Sequence, residues 1–346
     1  MVDHSILHTK LLKLNLPPFL HIWLNSYLMD RRFRVCVRGS FSNWCSAPSG
    51  VPQGSVLGPT LFNIFINDLP SCLRYSICLL FADDLKIYRT IQSAADQSLL
   101  QSDLNSVAQW AQQNRMSFNI SKSAVLHLGR NNQNFSYNLN NITISPKEFM
   151  RDLGVIVDNK LKFHQQCAAA AKKATSTASY IFRSFNFLNY SLFSTVYKVF
   201  IRPHLEYCIQ TWRPYYKKSI QLLEKTQRKI TKWCPRLSSV PYVDRLRILK
   251  IPPLEQRYNR GDLIETFKIL THHYDIPAND FFEKGNDPRT RGHKLKLTLP
   301  KFRTDIRKYF FSNRVVHNWN LLPDNIISSS SILQWKMRYS ELFTDQ

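Results

Sequence analysis

Asp83 and Asp84 stand side by side in "LLFADDLKIY", residues Leu79 to Tyr88, a run that is otherwise almost entirely apolar. Adjacent carboxylates repel, and burying either one without a partner costs several kcal/mol. The pair therefore needs either a surface turn or a compensating cation. Aspartate is common at turns, where its side chain bonds nearby backbone donors. Alternatively, carboxylates at the tip of an apolar hairpin present oxygen ligands to Mg²⁺, a hard cation that shares its shell with substrate phosphates. In two-metal phosphoryl transfer, one ion activates the attacking hydroxyl and the other neutralises the leaving group, the ions lying about 3.5 to 4 Å apart. Such a site draws carboxylates from more than one strand. On the pair alone, both readings stand.

A more specific element precedes it. In "SGVPQGSVLGPTLFNIFINDL", residues Ser49 to Leu69, Gly50, Gly54, Gly58, Pro52 and Pro59 define a loop that can approach a ligand closely and lead into a helix N-terminus, a place favourable to phosphate. An ordinary strand-to-helix connection would use similar turn residues. The stripe Leu61, Phe62, Phe65, Ile66 and Leu69 predicts a helix over 60–69. The aspartates follow Gln53 by about thirty residues, a combination of loop, helix and acidic hairpin that chance rarely produces.

The elements that must position these residues can be read from periodicity. Leu7, Leu11 and Leu14 mark a short helix stopped by "NLPP", and a second helix is expected over 19–28. "RFRVCVRGS" alternates into a strand, a Gly-Ser turn and a returning strand near Trp44. "SICLLFA" and "LKIYR" make the hairpin that carries Asp83 and Asp84. A long amphipathic helix is expected over 94–114, then strands over 123–129 and 151–158 separated by the Asn-rich loop "GRNNQNFSYNLNN". This order is α+β with an antiparallel sheet. Beyond Phe163 long helical patterns replace strand signals, which sets one boundary near 160; "CPRLSSVP", Cys234 to Pro241, suggests another.

The bulk composition narrows the partners. The chain has 346 residues, 44% of them hydrophobic and 13% aromatic, enough for folded domains with their own cores. Lys and Arg total 47 against 24 Asp and Glu, a formal net charge of +23 that favours polyanions, nucleic acid first. From Arg289 to Arg314, the basic residues Arg289, Arg291, Lys294, Lys296, Lys301, Arg303, Arg307, Lys308 and Arg314 interleave with Phe302, Tyr309, Phe310 and Phe311. Cations hold phosphates and aromatics stack on unpaired bases; the alternative is a solvated basic face with the aromatics in the core. Seven scattered cysteines without zinc-ligand spacing read as reduced thiols. No apolar run approaches the ~18 residues of a membrane span, and no signal peptide is visible. The expected location is the nucleus or cytoplasm, away from the membrane.

Taken together, "GVPQGSVLGPTLFNIFINDL" and "FADD" resemble the reverse transcriptases of non-LTR (LINE-type) retrotransposons, most of all the jockey-like group. "WAQQNRMSFNISKSAVLHLG", "RDLGVIVDNKLKFHQQ", "VYKVFIRPHLEYCIQTW" and "FFSNRVVHNWNLLP" extend the resemblance over nearly the whole chain. It implies a right-hand polymerase: a partial fingers and palm domain over 1–160, a helical thumb-like region over 161–235 and a basic nucleic-acid-binding region over 236–346. It implies Mg²⁺, an RNA template, a DNA primer or target, and deoxynucleoside triphosphates. By position, Asp83 becomes the metal-binding catalytic aspartate and Asp84 a weaker ligand beside it. Gln53 and Gly54 line the nucleotide and template pocket. Lys122 matches a lysine near the triphosphate, although an ordinary solvated lysine fits there too. Of the family's first carboxylate motif only its "VDH" ending, Val2, Asp3 and His4, is matched, so the two-ion site is expected to be incomplete and this polypeptide to extend primers poorly by itself. The competing reading is a non-catalytic nucleic-acid-binding remnant of a retrotransposon.

Overall fold

The computed structural model describes residues 2–129, 131–185, 189–285 and 293–342. They divide into two compact units, Met1–Glu148 and Phe149–Gln346. All paired strands described are antiparallel, so the α+β class holds. The expected sheet, however, is realised as six separate two-stranded ladders, because most strands are only two residues long.

In the first unit, α1 (His4–Leu12) is capped by Asp3, whose carboxylate accepts the backbone N–H groups of Ser5 and Ile6 at 3.0 and 3.1 Å. Its buried face is Leu7 and Leu11; Leu14 falls past the helix end, where Asn15 has φ +49°. Next come α2 (Pro18–Leu28) and a hairpin in two rungs. Its outer rung pairs β1 (Arg32–Phe33) with β4 (Cys45–Ser46), and its inner rung pairs β2 (Cys36–Val37) with β3 (Ser40–Phe41). Arg34 lies over the rings of Phe41 and Trp44, at 3.8 and 4.7 Å. Helix α3 (Gly58–Ile66) ends one turn earlier than the stripe suggests and gives way to a 3-10 turn, Leu69–Cys72. The hairpin β5 (Ile77–Phe81) and β6 (Asp84–Tyr88) follows, then α4 (Ala94–Gln113), which starts with a Ser93–Asp96 capping box. Leu7, Leu11, Leu61, Phe65, Leu69 and Trp110 form the core of this unit.

Two strand expectations change. Residues 123–129 form no strand; Val125 makes only an isolated bridge to Pro146. Instead the Asn-rich loop contains a hairpin, β7 (Asn138–Leu139) and β8 (Ile142–Thr143). It turns on Asn140 and Asn141, both with positive φ, as a type I′ turn requires.

The second unit opens with another such hairpin. Residues expected as one strand fold back as β9 (Phe149–Asp152) and β10 (Val155–Asp158) around Leu153 and Gly154, at φ +43° and +86°. Helix α5 (His164–Arg183) then lays Cys167, Ala170, Ala174 and Ala178 against α6 (Tyr190–Val196), a single π-helical turn Tyr197–Ile201, α7 (Arg202–Glu206), α8 (Ile209–Trp212) and α9 (Lys217–Thr231). The small side chains permit the close approach. Helices α10 (Tyr242–Leu249) and α11 (Leu254–Leu270) complete that core. The end of α11 joins a second core around Phe267, Trp319 and Trp335, built with the ladder β11 (Glu283–Lys284) and β12 (Leu297–Thr298) and five short helices, α12 (Asp305–Lys308), α13 (Phe311–Arg314), α14 (Val316–Asn320), α15 (Asp324–Ile327) and α16 (Ile332–Glu341). All seven cysteines are free thiols.

Candidate active site

The carboxylate pair is presented by strand alternation. Along β5, Cys78 and Leu80 turn into the core of the first unit while Ile77, Leu79 and Phe81 face outward. Phe81 pairs with Asp84, leaving Ala82 and Asp83 as a two-residue connection. Ala82 has φ +51° and Asp83 does not share the left-handed region, the pattern of a type II′ turn, whose first position favours glycine. A non-glycine residue there is strained by ~1 to 2 kcal/mol, and such strain concentrates at functional sites. Asp83 thus sits at the tip and Asp84 opens β6. Both are exposed, and neither side chain makes a hydrogen bond or ion pair among the described residues.

The hairpin is clamped at its base. Asp103, on the buried face of α4 and 1% exposed, accepts the backbone N–H groups of Arg74 and Tyr75, each at 2.9 Å. At the same end Arg89 donates to the Tyr75 carbonyl and pairs with Asp96 at 2.8 Å, tying β6 to the start of α4. The Arg89 guanidinium, with the N–H groups of Gln92 and Ser93's hydroxyl, holds the Asp96 carboxyl below the usual range. Asp103 was not among the residues expected at the site, yet an aspartate within the apolar stripe Leu100, Leu104 and Val107 is a legible signal. Asp103→Ala strands two amide donors and is expected to cost about 2 kcal/mol, at ~1 kcal/mol or more per orphaned donor. Thermal unfolding with and without the substitution checks this.

The glycine loop is folded onto itself. The Ser55 hydroxyl donates to Pro52 O at 2.8 Å and accepts the Gly58 N–H at 2.9 Å. A Cβ at Gly58 would lie 2.7 Å from Pro52 O, so only glycine allows this closure, and Gly54 has φ +81°. Gln53 and Gly54 stand exposed at the crest. The start of the chain holds the loop in place. Gly50 N–H donates to Val2 O at 2.7 Å, and Gly50 O meets His4 Nε2 at 2.8 Å and Arg31 Nη2 at 3.0 Å. Beyond capping α1, the Asp3 carboxylate pairs with Arg115 at 2.9 Å. Hydrogen bonds from Ser5 and Ile6, helped by Arg115, push its carboxyl well below the usual range.

Val51 and Leu57 of the loop, with Cys78, Leu80 and Leu85 of the hairpin, pack on one core. Loop and aspartates are therefore held by common packing. Lys122 is exposed in a turn where Asn119 Oδ1 accepts its backbone N–H at 3.3 Å, and no described bond joins it to the loop or the hairpin. The free oxygens of Asp83 and Asp84 suit a hard cation as two of its ligands. Among the described residues no group of three or more His, Cys, Asp or Glu is placed to hold a metal ion.

The basic C-terminal segment lies in the second unit. Lys294, Lys301, Arg303, Arg307 and Lys308 are exposed and Lys296 is half-buried; Arg289 and Arg291 lie outside the described residues. Arg314 is a structural residue, bonded to Asp262 through Nε and Nη2 at 2.9 and 2.8 Å. Phe311 is in the core, and Tyr309 stacks on Tyr215 at 4.7 Å. Only part of this segment therefore remains open to a ligand. No helix among the described residues is long and apolar enough to cross a membrane.

An antiparallel hairpin carries two aspartates with unpartnered side chains at its tip and shares a core with a closed glycine loop. The reverse transcriptase (RNA-dependent DNA polymerase) family matches residues 1–178, more than half of the sequence, and the chain belongs to that family. It is 29% identical over 299 residues to the RNA-directed DNA polymerase from mobile element jockey of Drosophila melanogaster, covering 80% of this chain and 32% of that protein. It is 28% identical over 221 residues to the probable RNA-directed DNA polymerase from transposon X-element of the same fly, covering 60% and 24%. To the probable RNA-directed DNA polymerase from transposon BS it is 38% identical over 117 residues, covering 32% and 13%. The chain thus spans about a third or less of these curated relatives.

Proposed function

We propose that the chain is the palm and thumb part of an RNA-directed DNA polymerase of a jockey-like non-LTR retrotransposon, acting in the nucleus or cytoplasm. The observation that carries this reading is the pair of unpartnered carboxylates at the strained tip of the β5–β6 hairpin, on the same core as the glycine loop. Asp83 and Asp84 would hold Mg²⁺ through their free oxygens, and the bound ions would supply activation of the primer hydroxyl and neutralisation of pyrophosphate. The Gln53–Gly54 crest would orient the incoming deoxynucleotide against the RNA template. Lys122 would give a proton to the departing pyrophosphate. Residues 1–160 would serve as palm with part of the fingers, 161–235 as thumb, and 236–346 as a basic region whose lysines and arginines hold template and primer phosphates.

Two carboxylates alone grip Mg²⁺ weakly. Primer extension on an RNA template with Mg²⁺ should therefore be poor for these 346 residues, and rise at least tenfold when the segment preceding the matched region in a jockey-type relative is added. Equal, robust extension by both would refute the incomplete-site reading. The absence of a third ligand in any described cluster also favours a second reading, a non-catalytic nucleic-acid-binding remnant. RNA binding without extension by either polypeptide would support it.

A further inference from the structure

The second unit holds a cavity of about 720 Å³ between α9, α10 and the start of α11, within the size range of sites that enclose small organic molecules. Its floor is apolar: Leu223, Leu246, Ile251 and Leu254 line it and all are buried. Ile220 and Val243 also line it but are exposed, so they mark its mouth, as do the exposed Arg247, Lys250 and Glu255. Most polar groups of the inner wall are spent. Tyr242 donates its hydroxyl to Glu224, whose other oxygen accepts the Leu254 N–H at 3.4 Å, and the Tyr258 hydroxyl donates to Leu205 O at 3.1 Å. Arg213 is the exception. Its side chain is 18% exposed and donates from Nη1 to Asp262 at 2.8 Å, while Nε and Nη2 make no hydrogen bond among the described residues. Asp262 also serves Arg314, so two guanidinium groups share one carboxylate and a positive charge is left over at the cavity wall.

We propose that this cavity binds an organic acid with a bulky apolar body, the acid group held by Arg213 and the body by the apolar floor. Nε and Nη2 lie on one edge of the guanidinium plane, so they can meet two oxygens of a carboxylate or sulfonate in the two-pronged geometry that arginine favours. The anion balances the charge that Asp262 leaves over. The body gains by leaving water for a floor of buried aliphatic side chains. A neutral molecule would leave the arginine's donors unused, and a nucleic-acid backbone would bring nothing apolar to fill the floor. The wall is preformed, because Gln227 links the Tyr242 hydroxyl to that of Tyr197, at 3.1 and 2.5 Å, which limits the ordering cost of binding. No residue of the β5–β6 hairpin or the glycine loop takes part, so the site stands or falls apart from the polymerase reading.

The test titrates the full chain with two fluorescent probes that share one aromatic body: anilinonaphthalene sulfonate, which bears an anion, and phenylnaphthylamine, which does not. One sulfonate probe should bind per chain, about tenfold more tightly than the neutral one, as befits hydrogen bonds between charged partners. Arg213→Gln should bring the sulfonate down to the neutral probe's affinity and leave the neutral probe unchanged. Asp262 keeps its two bonds from Arg314, so the fold should survive that change. Val243→Glu, at the exposed mouth, should weaken the sulfonate about tenfold, and it decides the matter by itself should Arg213→Gln melt early. Leu79→Ser, on the outward face of the β5–β6 hairpin, should change neither affinity. Equal affinity for the two probes, several equivalent sites, or sulfonate binding unchanged in both cavity variants would overturn the proposal. Loss of binding in Leu79→Ser would move the probe to the hairpin, with the same result. Sulfonate binding that falls as the chain is concentrated would give the cavity to a second copy of the chain and overturn it too.

Discussion

Asp83→Asn is expected to lower primer extension by about a thousandfold in the lengthened, extension-competent polypeptide. A lost metal ligand removes on the order of 4 kcal/mol of transition-state charge stabilisation, and each 1.36 kcal/mol is a factor of ten in rate. Asp84→Asn should cost less, on the order of tenfold, since the proposed function gives its carboxylate the weaker part in holding the metal. The structure makes the experiment clean. Asp83 is exposed and bonded to no described residue, so removing its charge should leave stability within ~0.5 kcal/mol and even ease the repulsion with Asp84. RNA affinity measured in the absence of Mg²⁺ should not change. Extension by Asp83→Asn at the parent rate would remove the aspartate from the chemistry and leave the hairpin as a surface turn.

Asp262→Ala is expected to have the largest effect on stability. Asp262 is 2% exposed and accepts from Arg213 Nη1 at 2.8 Å and from Arg314 Nε and Nη2 at 2.9 and 2.8 Å. Arg314 also donates to the carbonyls of Tyr309 and Gln210, so one carboxylate joins α8, α11 and α13. Removing it leaves two guanidinium groups facing each other with little solvent, at a cost of about 3 to 5 kcal/mol. For a unit of this size that is a fall in melting temperature of about 10 °C. Circular dichroism melting curves give the answer. Replacing Arg213 and Arg314 by Met together with Asp262→Leu should recover part of the loss, since no unpaired charge would remain. A fall of less than about 2 °C for Asp262→Ala would show the network to be well solvated.

What the sequence disclosed follows the range of the forces involved. The β5–β6 hairpin was legible because alternation and the paired aspartates are local features, and the glycine loop because its closure needs specific residues at fixed positions. Two of the missed turns are local as well: Asn140–Asn141 and Leu153–Gly154 use positive φ, and their asparagines and glycine could have flagged them. The expected strand at 123–129 failed for a different reason, having no partner beyond Pro146. Buried charge is the least legible. Arg314 reads as one more cation of a basic run until Asp262, fifty-two residues away in sequence, arrives beside it. Asp3 likewise belongs to a catalytic motif's ending by resemblance, but its carboxylate is consumed by a helix cap and Arg115.

The outward face of the β5–β6 hairpin carries one more consequence. Ile77, Leu79 and Phe81 are 53%, 49% and 63% exposed, and the ladder has no third strand on either side among the described residues. Unpaired strand edges beside an apolar surface are templates for other chains. The geometry that leaves the aspartates accessible thus also makes the isolated polypeptide sticky: its solubility should fall steeply with concentration, and handling it dilute, or with a strand supplied to that edge, is the price of keeping the tip open.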